Sequence, residues 1–225
     1  MTFDPVLNLA DLNGSNGFRI DGVAEGDLSG RSVSRAGDIN GDGVDDLIIG
    51  APGATPNGTN SGTSYVVFGR EGGFSSTLNL STLDGNNGFR IDGVAEGDFS
   101  GRSVSRAGDI NGDGIDDVII GTLGADPNGT NSGASYVVFG SEQEFSSTLN
   151  LSTLDGNNGF RIDGVAAFDL SGYSVSRAGD INGDSIDDLI IGAPGAAPNG
   201  TNSGSSYVVF GREDGFSSTL NLSTL

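Results

Sequence analysis

The sequence predicts an all-β chain built from three copies of one module, and three observations carry that reading. The string DINGDGVDD at Asp38–Asp46 returns as DINGDGIDD at Asp109–Asp117 and as DINGDSIDD at Asp180–Asp188, 71 residues apart each time. The apolar runs have the length and alternation of strands, and none shows the i, i+3, i+4, i+7 spacing of a helix. Forty glycines punctuate those runs and call for many tight turns. Phe3, Phe74, Phe145 and Phe216 open successive copies. Residues 1–225 therefore read as a single repeat domain with full repeats over 3–73, 74–144 and 145–215, and 216–225 as the start of a fourth.

Each repeat offers four strands in the chain order D, A, B, C. In the first repeat, D is Gly17–Val23 (GFRIDGV), with Phe18 and Ile20 on one face and Arg19 and Asp21 on the other. A is Arg31–Gly37, alternating around Val33. B is Asp46–Gly50, a short apolar run that suits a buried strand. C is Tyr65–Phe68, aromatic and β-branched throughout. Four antiparallel strands recurring around an axis is the plan of a β-propeller. One such sheet cannot bury both its faces alone, so neighbouring blades must stack. A β-solenoid would repeat over about 20–30 residues, far below this period. The expected architecture is a β-propeller of four-stranded antiparallel blades, three blades per chain.

Charge excludes some partners. Thirty acids against ten bases give a net charge of −20, and every base is Arg. Such a chain repels nucleic acid and anionic lipid, because phosphate binding needs a basic footprint. No apolar run is long enough for a membrane helix, so no membrane insertion is expected. The chain has no Cys and no His. That removes disulfides, thiolate chemistry, the commonest general base and the usual zinc ligand. Serines in the SxS runs have no base to activate them, so no enzyme activity is expected. Residues 1–9 lack a basic start and a long apolar stretch, so no ordinary signal peptide is read there.

The acidic loop is the candidate site. Positions 1, 3, 5 and 9 carry side-chain oxygens, position 7 can offer its backbone carbonyl, and position 6 is Gly, which permits a sharp turn. Hard oxygen donors in a flexible ring suit Ca²⁺ better than Mg²⁺, which demands a stricter octahedron. The three ligand sets are Asp38, Asn40, Asp42, Val44 and Asp46; Asp109, Asn111, Asp113, Ile115 and Asp117; and Asp180, Asn182, Asp184, Ile186 and Asp188. An EF-hand needs Glu at position 12 and flanking helices; here position 12 is Ile49, inside a strand pattern. Asp45, Asp116 and Asp187 are assigned to the surface or to supporting contacts. Ser185 replaces the position-6 Gly in the third copy, so the third calcium site is expected to be the weakest. Arg35, Arg106 and Arg177 recur just before each loop and are assigned to ion pairs with a nearby Asp.

Taken together, Leu28–Ala54 (LSGRSVSRAGDINGDGVDDLIIGAPGA), with the YVVFG run that follows, resembles the FG-GAP repeat of integrin α-subunit propellers. The resemblance implies calcium at the ligands named above, with the A–B loops on the lower face and ligand binding on the upper face. It would place the B–C connection, Ala51–Thr63, on that upper face. Its segment PNGTNSG (Pro56–Gly62) recurs at Pro127–Gly133 and Pro198–Gly204. Its polar groups could meet a protein or glycan ligand, although a plain solvated connection explains them as well.

The function implied is a non-catalytic, calcium-binding adhesion or ligand-binding module, extracellular or at the cell surface. Two alternatives remain at this stage. One is an accessory propeller of a secreted hydrolase such as a glycosylphosphatidylinositol-specific phospholipase D. The other is a purely structural calcium-dependent array. Three blades are too few for a ring, which holds about four to eight. The order D, A-B-C leaves the first D strand without a blade and the last blade without its D strand. A homodimer closing a six-bladed ring with exchanged N-terminal strands would satisfy both. So would a longer propeller of which this chain is a piece.

Overall fold

A computed structural model describes residues 7–225; the repeat start assigned to Phe3 lies outside the described residues. The first repeat contributes β1 (Arg19–Asp21), β2 (Ser32–Gly37), β3 (Asp46–Ala51) and β4 (Thr63–Val67). The second contributes β5 (Thr77–Asn79), β6 (Gly88–Asp92), β7 (Ser103–Gly108), β8 (Asp117–Thr122) and β9 (Ala134–Val138). The third contributes β10 (Thr148–Asn150), β11 (Gly159–Asp163), β12 (Ser174–Gly179), β13 (Asp188–Ala193) and β14 (Ser205–Val209), and β15 (Thr219–Asn221) follows. The expected strands are all present. The D strands of the second and third repeats begin at the glycine before Phe89 and Phe160 and end at Asp92 and Asp163, while the C strands start two residues earlier than expected.

Three sheets stand as blades. The first runs β2-β3-β4-β6, antiparallel throughout, and the second runs β7-β8-β9-β11 in the same register. The third holds only β12, β13 and β14. Each repeat thus lends its D strand to the blade before it, as the strand order implied. A fifth strand was not foreseen. The short TLN runs β10 and β15 pair in parallel with the outer strands β6 and β11, and β5 does the same with β1. Each TLN run leads into one turn of 3-10 helix, whose first N–H groups the Asn side chain caps: Asn79 accepts from Ser81 at 2.9 Å and Asn150 from Ser152 at 3.0 Å. A three-residue strand is too short to show a period of two, so the pattern hid it.

The apolar side chains that alternate along these strands meet between blades. Ile39, Ile48, Val66 and Phe89 of the first blade close against Val104, Val118, Ile120 and Tyr136 of the second. The same positions of the second blade, Ile110, Ile119, Val137 and Phe160, close against Leu189, Ile191 and Val209 of the third. The sheet of β1 and β5 packs through Ile20 and Leu78 on Ile49, Tyr65 and Val67, the opposite face of the first blade. The backbones come close as well: a Cβ on Gly50 would strike the Gly101 carbonyl oxygen, and one on Gly121 the Gly172 oxygen, so these strand positions need glycine.

Candidate metal centre

All three acidic loops turn from strand A to strand B, at β2–β3, β7–β8 and β12–β13, and so lie at one end of the sheets. A break in register between Arg35 and Gly37 precedes the first loop and recurs in the other two blades. It swings position 1 out of the ladder and frees its carboxylate to fold over the turn. The Asp38 oxygens accept from the Asp42 N–H at 3.0 Å and the Gly43 N–H at 2.8 Å. The Asn40 amide oxygen also accepts from Asp42, and Asp42 accepts from the Val44 N–H at 2.8 Å. The second and third loops repeat this pattern with Asp109, Asn111 and Asp113, and with Asp180, Asn182 and Asp184. The position-7 residues Ile115 and Ile186, like Val44, donate their N–H groups to position 5.

Position 9 is different in kind. Asp46, Asp117 and Asp188 open strand B and are fully buried. Asp46 accepts from the Ile39 N–H at 3.0 Å and from the Gly69 N–H at 2.7 Å. Asp117 and Asp188 hold the matching pairs, Ile110 with Gly140 and Ile181 with Gly211. Among the described residues no Arg pairs with any of the three. Burial pushes the Asp46 carboxyl up to about 7; its two backbone donors oppose this, and the neighbouring charges of Asp42 and Asp38 add to it. Burial also drives Asp117 well above the usual carboxylate range.

Among the described residues no three acidic side chains converge into a ready cation cage. The loop nevertheless fits a hard cation by its donor chemistry. Its polar side chains are all oxygen donors, and each carboxylate oxygen bonded to one N–H keeps a further lone pair. A buried carboxylate with like charges beside it is a group that a cation would relieve. The third loop differs at position 6, where Gly43 has φ +85° and Gly114 φ +89°, while Ser185 is held at φ +75°, and there the Gly183 N–H also donates to Asp180 at 2.6 Å. A side chain in that left-handed region costs on the order of 1 kcal/mol.

Of the residues assigned to the surface or to supporting contacts, Asp116 and Asp187 make supporting contacts and Asp45 stays exposed. Asp116 accepts the Asp38 N–H of the preceding blade at 3.0 Å, and Asp187 accepts the Asp109 N–H at 3.1 Å. The expected arginine pairs are those same aspartates: Arg35 with Asp45 at 3.2 Å, Arg106 with Asp116, and Arg177 with Asp187 at 2.5 Å. Arginine, aspartate and backbone amide together staple one acidic loop to the next. The recurrent Arg-to-Asp spacing of ten residues was the signal available in the sequence, but the amide it reaches lies in another repeat.

At the opposite end, the first two B–C connections are also committed to their neighbours. The Asn57 amide donates to the Gly93 carbonyl at 2.7 Å, and Asn128 donates to Gly164 at the same distance. Gly97, Phe99 and Ser100 donate N–H groups to the carbonyls of Thr59, Asn60 and Ser61. Much of the polarity of PNGTNSG therefore serves blade contact.

The FG-GAP repeat matches residues 29–67, 100–138 and 171–209, which in each blade run from just before strand A to the end of strand C. The chain belongs to the FG-GAP repeat family. FG-GAP repeats form β-propeller blades, in keeping with the stacked sheets. A phosphatidylinositol-glycan-specific phospholipase D of Dictyostelium discoideum is 33% identical over 197 residues, covering 78% of this chain and 19% of that protein. Integrin alpha-PS5 of Drosophila melanogaster is 34% identical over 172 residues, covering 76% of this chain and 15% of the integrin. Integrin alpha-2 of Mus musculus is 38% identical over 95 residues, 42% of this chain and 8% of the integrin. The chain thus spans less than a fifth of each of these relatives. Among its described residues no helix is long and apolar enough to cross a membrane.

Proposed function

We propose that this FG-GAP chain is a non-catalytic, calcium-stabilised propeller module that serves adhesion or ligand binding outside the cell. The observation that carries the reading is the buried position-9 aspartate. In all three blades it lies at the end of a loop of oxygen ligands and, among the described residues, has no cationic side chain paired with it. Calcium at Asp38, Asn40, Asp42, Val44 and Asp46, and at the equivalent sets of the other two loops, would supply the missing charge and stiffen the A–B turns. Loops of this kind at extracellular modules hold calcium with Kd of about 10⁻⁴–10⁻³ M, which suits a location at millimolar calcium. Membership beside integrin α-subunits supports adhesion, with a protein or glycan ligand met by the face opposite the acidic loops.

A second reading keeps the same module as an accessory propeller of a larger hydrolase, favoured by the similarity to phospholipases D. In either case the chemistry lies outside this chain, which has neither His nor Cys to build a nucleophile–base pair.

Calorimetric titration of the chelated protein tests the calcium reading. It should report three sites per chain, the third the weakest, and Asp42→Ala, Asp113→Ala or Asp184→Ala should each remove one. At ~2 mM calcium, a site with Kd of ~0.2 mM adds about 1.4 kcal/mol of stability. A protein with no calcium heat and an unchanged melting temperature after chelation would overturn the proposal.

A further inference from the structure

The two ends of the stack are unfinished in complementary ways. On the third blade, Ile181, Ile190 and Phe210 are 55%, 38% and 54% exposed, while the same positions in the first two blades, Ile39 and Ile110, Ile48 and Ile119, Phe68 and Phe139, are buried. On the first blade, Val33 is 65% exposed and Leu47 37%, where Val104 and Val118 of the second blade are buried. The open face of the third blade is thus the face that the first two blades bury against their successors. The open face of the first blade is the one its successors bury against their predecessors.

The aromatic residues show the same half-sites. Phe68 lies 5.9 Å from both Phe89 and Phe145, which stack at 4.3 Å. Phe139, Phe160 and Phe216 form a second such triad. At the ends, Phe18 and Phe74 stack at 4.0 Å without a third ring among the described residues, where Phe210 likewise stands exposed without a stacked pair.

The third acidic loop is incomplete in the same sense. Gly37 and Gly108 each face an aspartate of the next blade, Asp116 and Asp187, and Gly41 and Gly112 each face a glutamate, Glu142 and Glu213. Gly179 and Gly183, the equivalents in the third blade, have nothing against them among the described residues. In the first repeat the residues that would fill those places are Asp45 and Glu71, and the Arg35–Asp45 pair is exposed on both sides at 61%.

We propose that a second copy of this chain seats its first blade on the third blade of this one, so that its Asp45, held by its Arg35, staples the third acidic loop in trans. Asp45 of the second copy then accepts the Asp180 N–H as Asp116 accepts that of Asp38. Strand β1 of the second copy pairs with β14, and its Phe18 and Phe74 complete the triad at Phe210. Both ends of both chains are satisfied by one self-complementary pairing, giving six blades around the axis, within the range of known rings. The proposal rests on the blade architecture and not on calcium occupancy.

Light scattering and cross-linking test it, each run with calcium and with chelator. The expected mass at micromolar concentration is twice the 22.6 kDa of the chain. Within the chain, the Val104 N–H meets the Ser32 hydroxyl at 3.0 Å across the blade junction. The matching pair between copies is Val33 with Ser174. The chain has no Cys, so oxidised Val33→Cys/Ser174→Cys should run as a covalent dimer, while each single variant should not. Asp45→Ala should raise the dimer dissociation constant at least tenfold, and Asp116→Ala, which acts within one chain, should leave it within threefold. A monomer, a series of larger species, or a dimer that the double variant fails to cross-link would overturn the pairing. Calcium binding by a monomer would overturn it while leaving the calcium reading intact.

Discussion

The second and third blades share nearly the same sequence yet differ sharply in burial. Ile119 and Ile190 occupy one position of strand B; Ile119 is inaccessible, and Ile190 is 38% exposed. The Arg–Asp staple behaves likewise: Asp116 reaches the loop of the blade before it, whereas Asp45 meets no such loop among the described residues. The same residue is a core residue or a surface residue according to whether a neighbour is present. In a stacked-blade protein stability therefore resides in the junctions as much as in the sheets.

The largest effect expected is the contrast at that strand B position. Ile119→Ala should cost about 2–5 kcal/mol in denaturant unfolding, because it opens a cavity between two blades. Ile190→Ala should cost about 1 kcal/mol in a dilute monomer. Convergence of the two values at high protein concentration would show the third blade's face being covered.

A smaller contrast lies in the staple. Asp116→Ala removes an acceptor from the Asp38 amide and leaves Arg106 unpaired in a half-buried site, for a loss of about 1–3 kcal/mol. Asp45→Ala in the monomer should change stability by less than about 0.5 kcal/mol, as exposed pairs do. Equal losses in the monomer would break the comparison between the ends and the middle.

Third is the strained loop. Ser185→Gly should gain on the order of 1 kcal/mol by relieving the φ of +75°. It should also bring the third loop's calcium affinity level with the others in a loop-by-loop titration. Gly114→Ser should do the reverse to the second loop.

The smallest effect expected is a pH dependence at Asp98, a buried side chain of the D–A connection that accepts from the Ala95 N–H at 2.9 Å. Burial raises its carboxyl above the ordinary 3.8; the Ala95 bond opposes this, the Asp126 charge adds to it, and the Arg161 charge opposes it. The fold holds this proton more tightly than the unfolded chain does. Asp98 therefore favours folding most below its ordinary value, and that contribution is lost as pH rises through its folded value. Asp98→Asn should match the parent in acid and become the more stable of the two above that window. Parallel melting curves across pH would reveal the crossover, and a constant difference would refute it.

Most of this architecture was legible because the repeats are nearly identical. Three copies of an acidic loop in fixed register point to a site, and strand runs such as YVVF read directly as strand C. The order D, A-B-C even gave the offset by which β6 completes the first blade. What the sequence hid depends on contacts between repeats. Asp116 stayed open between the surface and a supporting contact because the amide it holds belongs to Asp38, 78 residues away. Asn57 read as a solvated loop residue or a group able to meet a ligand, yet its amide is spent on Gly93. The TLN strands were missed because three residues pairing in parallel leave no alternation to count.

The lending of each D strand to the preceding blade bears on how such a chain could grow. A cut at a sequence repeat boundary passes through a blade, so one repeat is a unit of copying but not a unit of folding. Duplicating 71 residues anywhere in the array inserts one whole blade and rebuilds the joints already in use, with the same aromatic triad and the same staple. The joints on either side are unchanged by the insertion. Length can vary by whole blades without any new kind of surface having to arise.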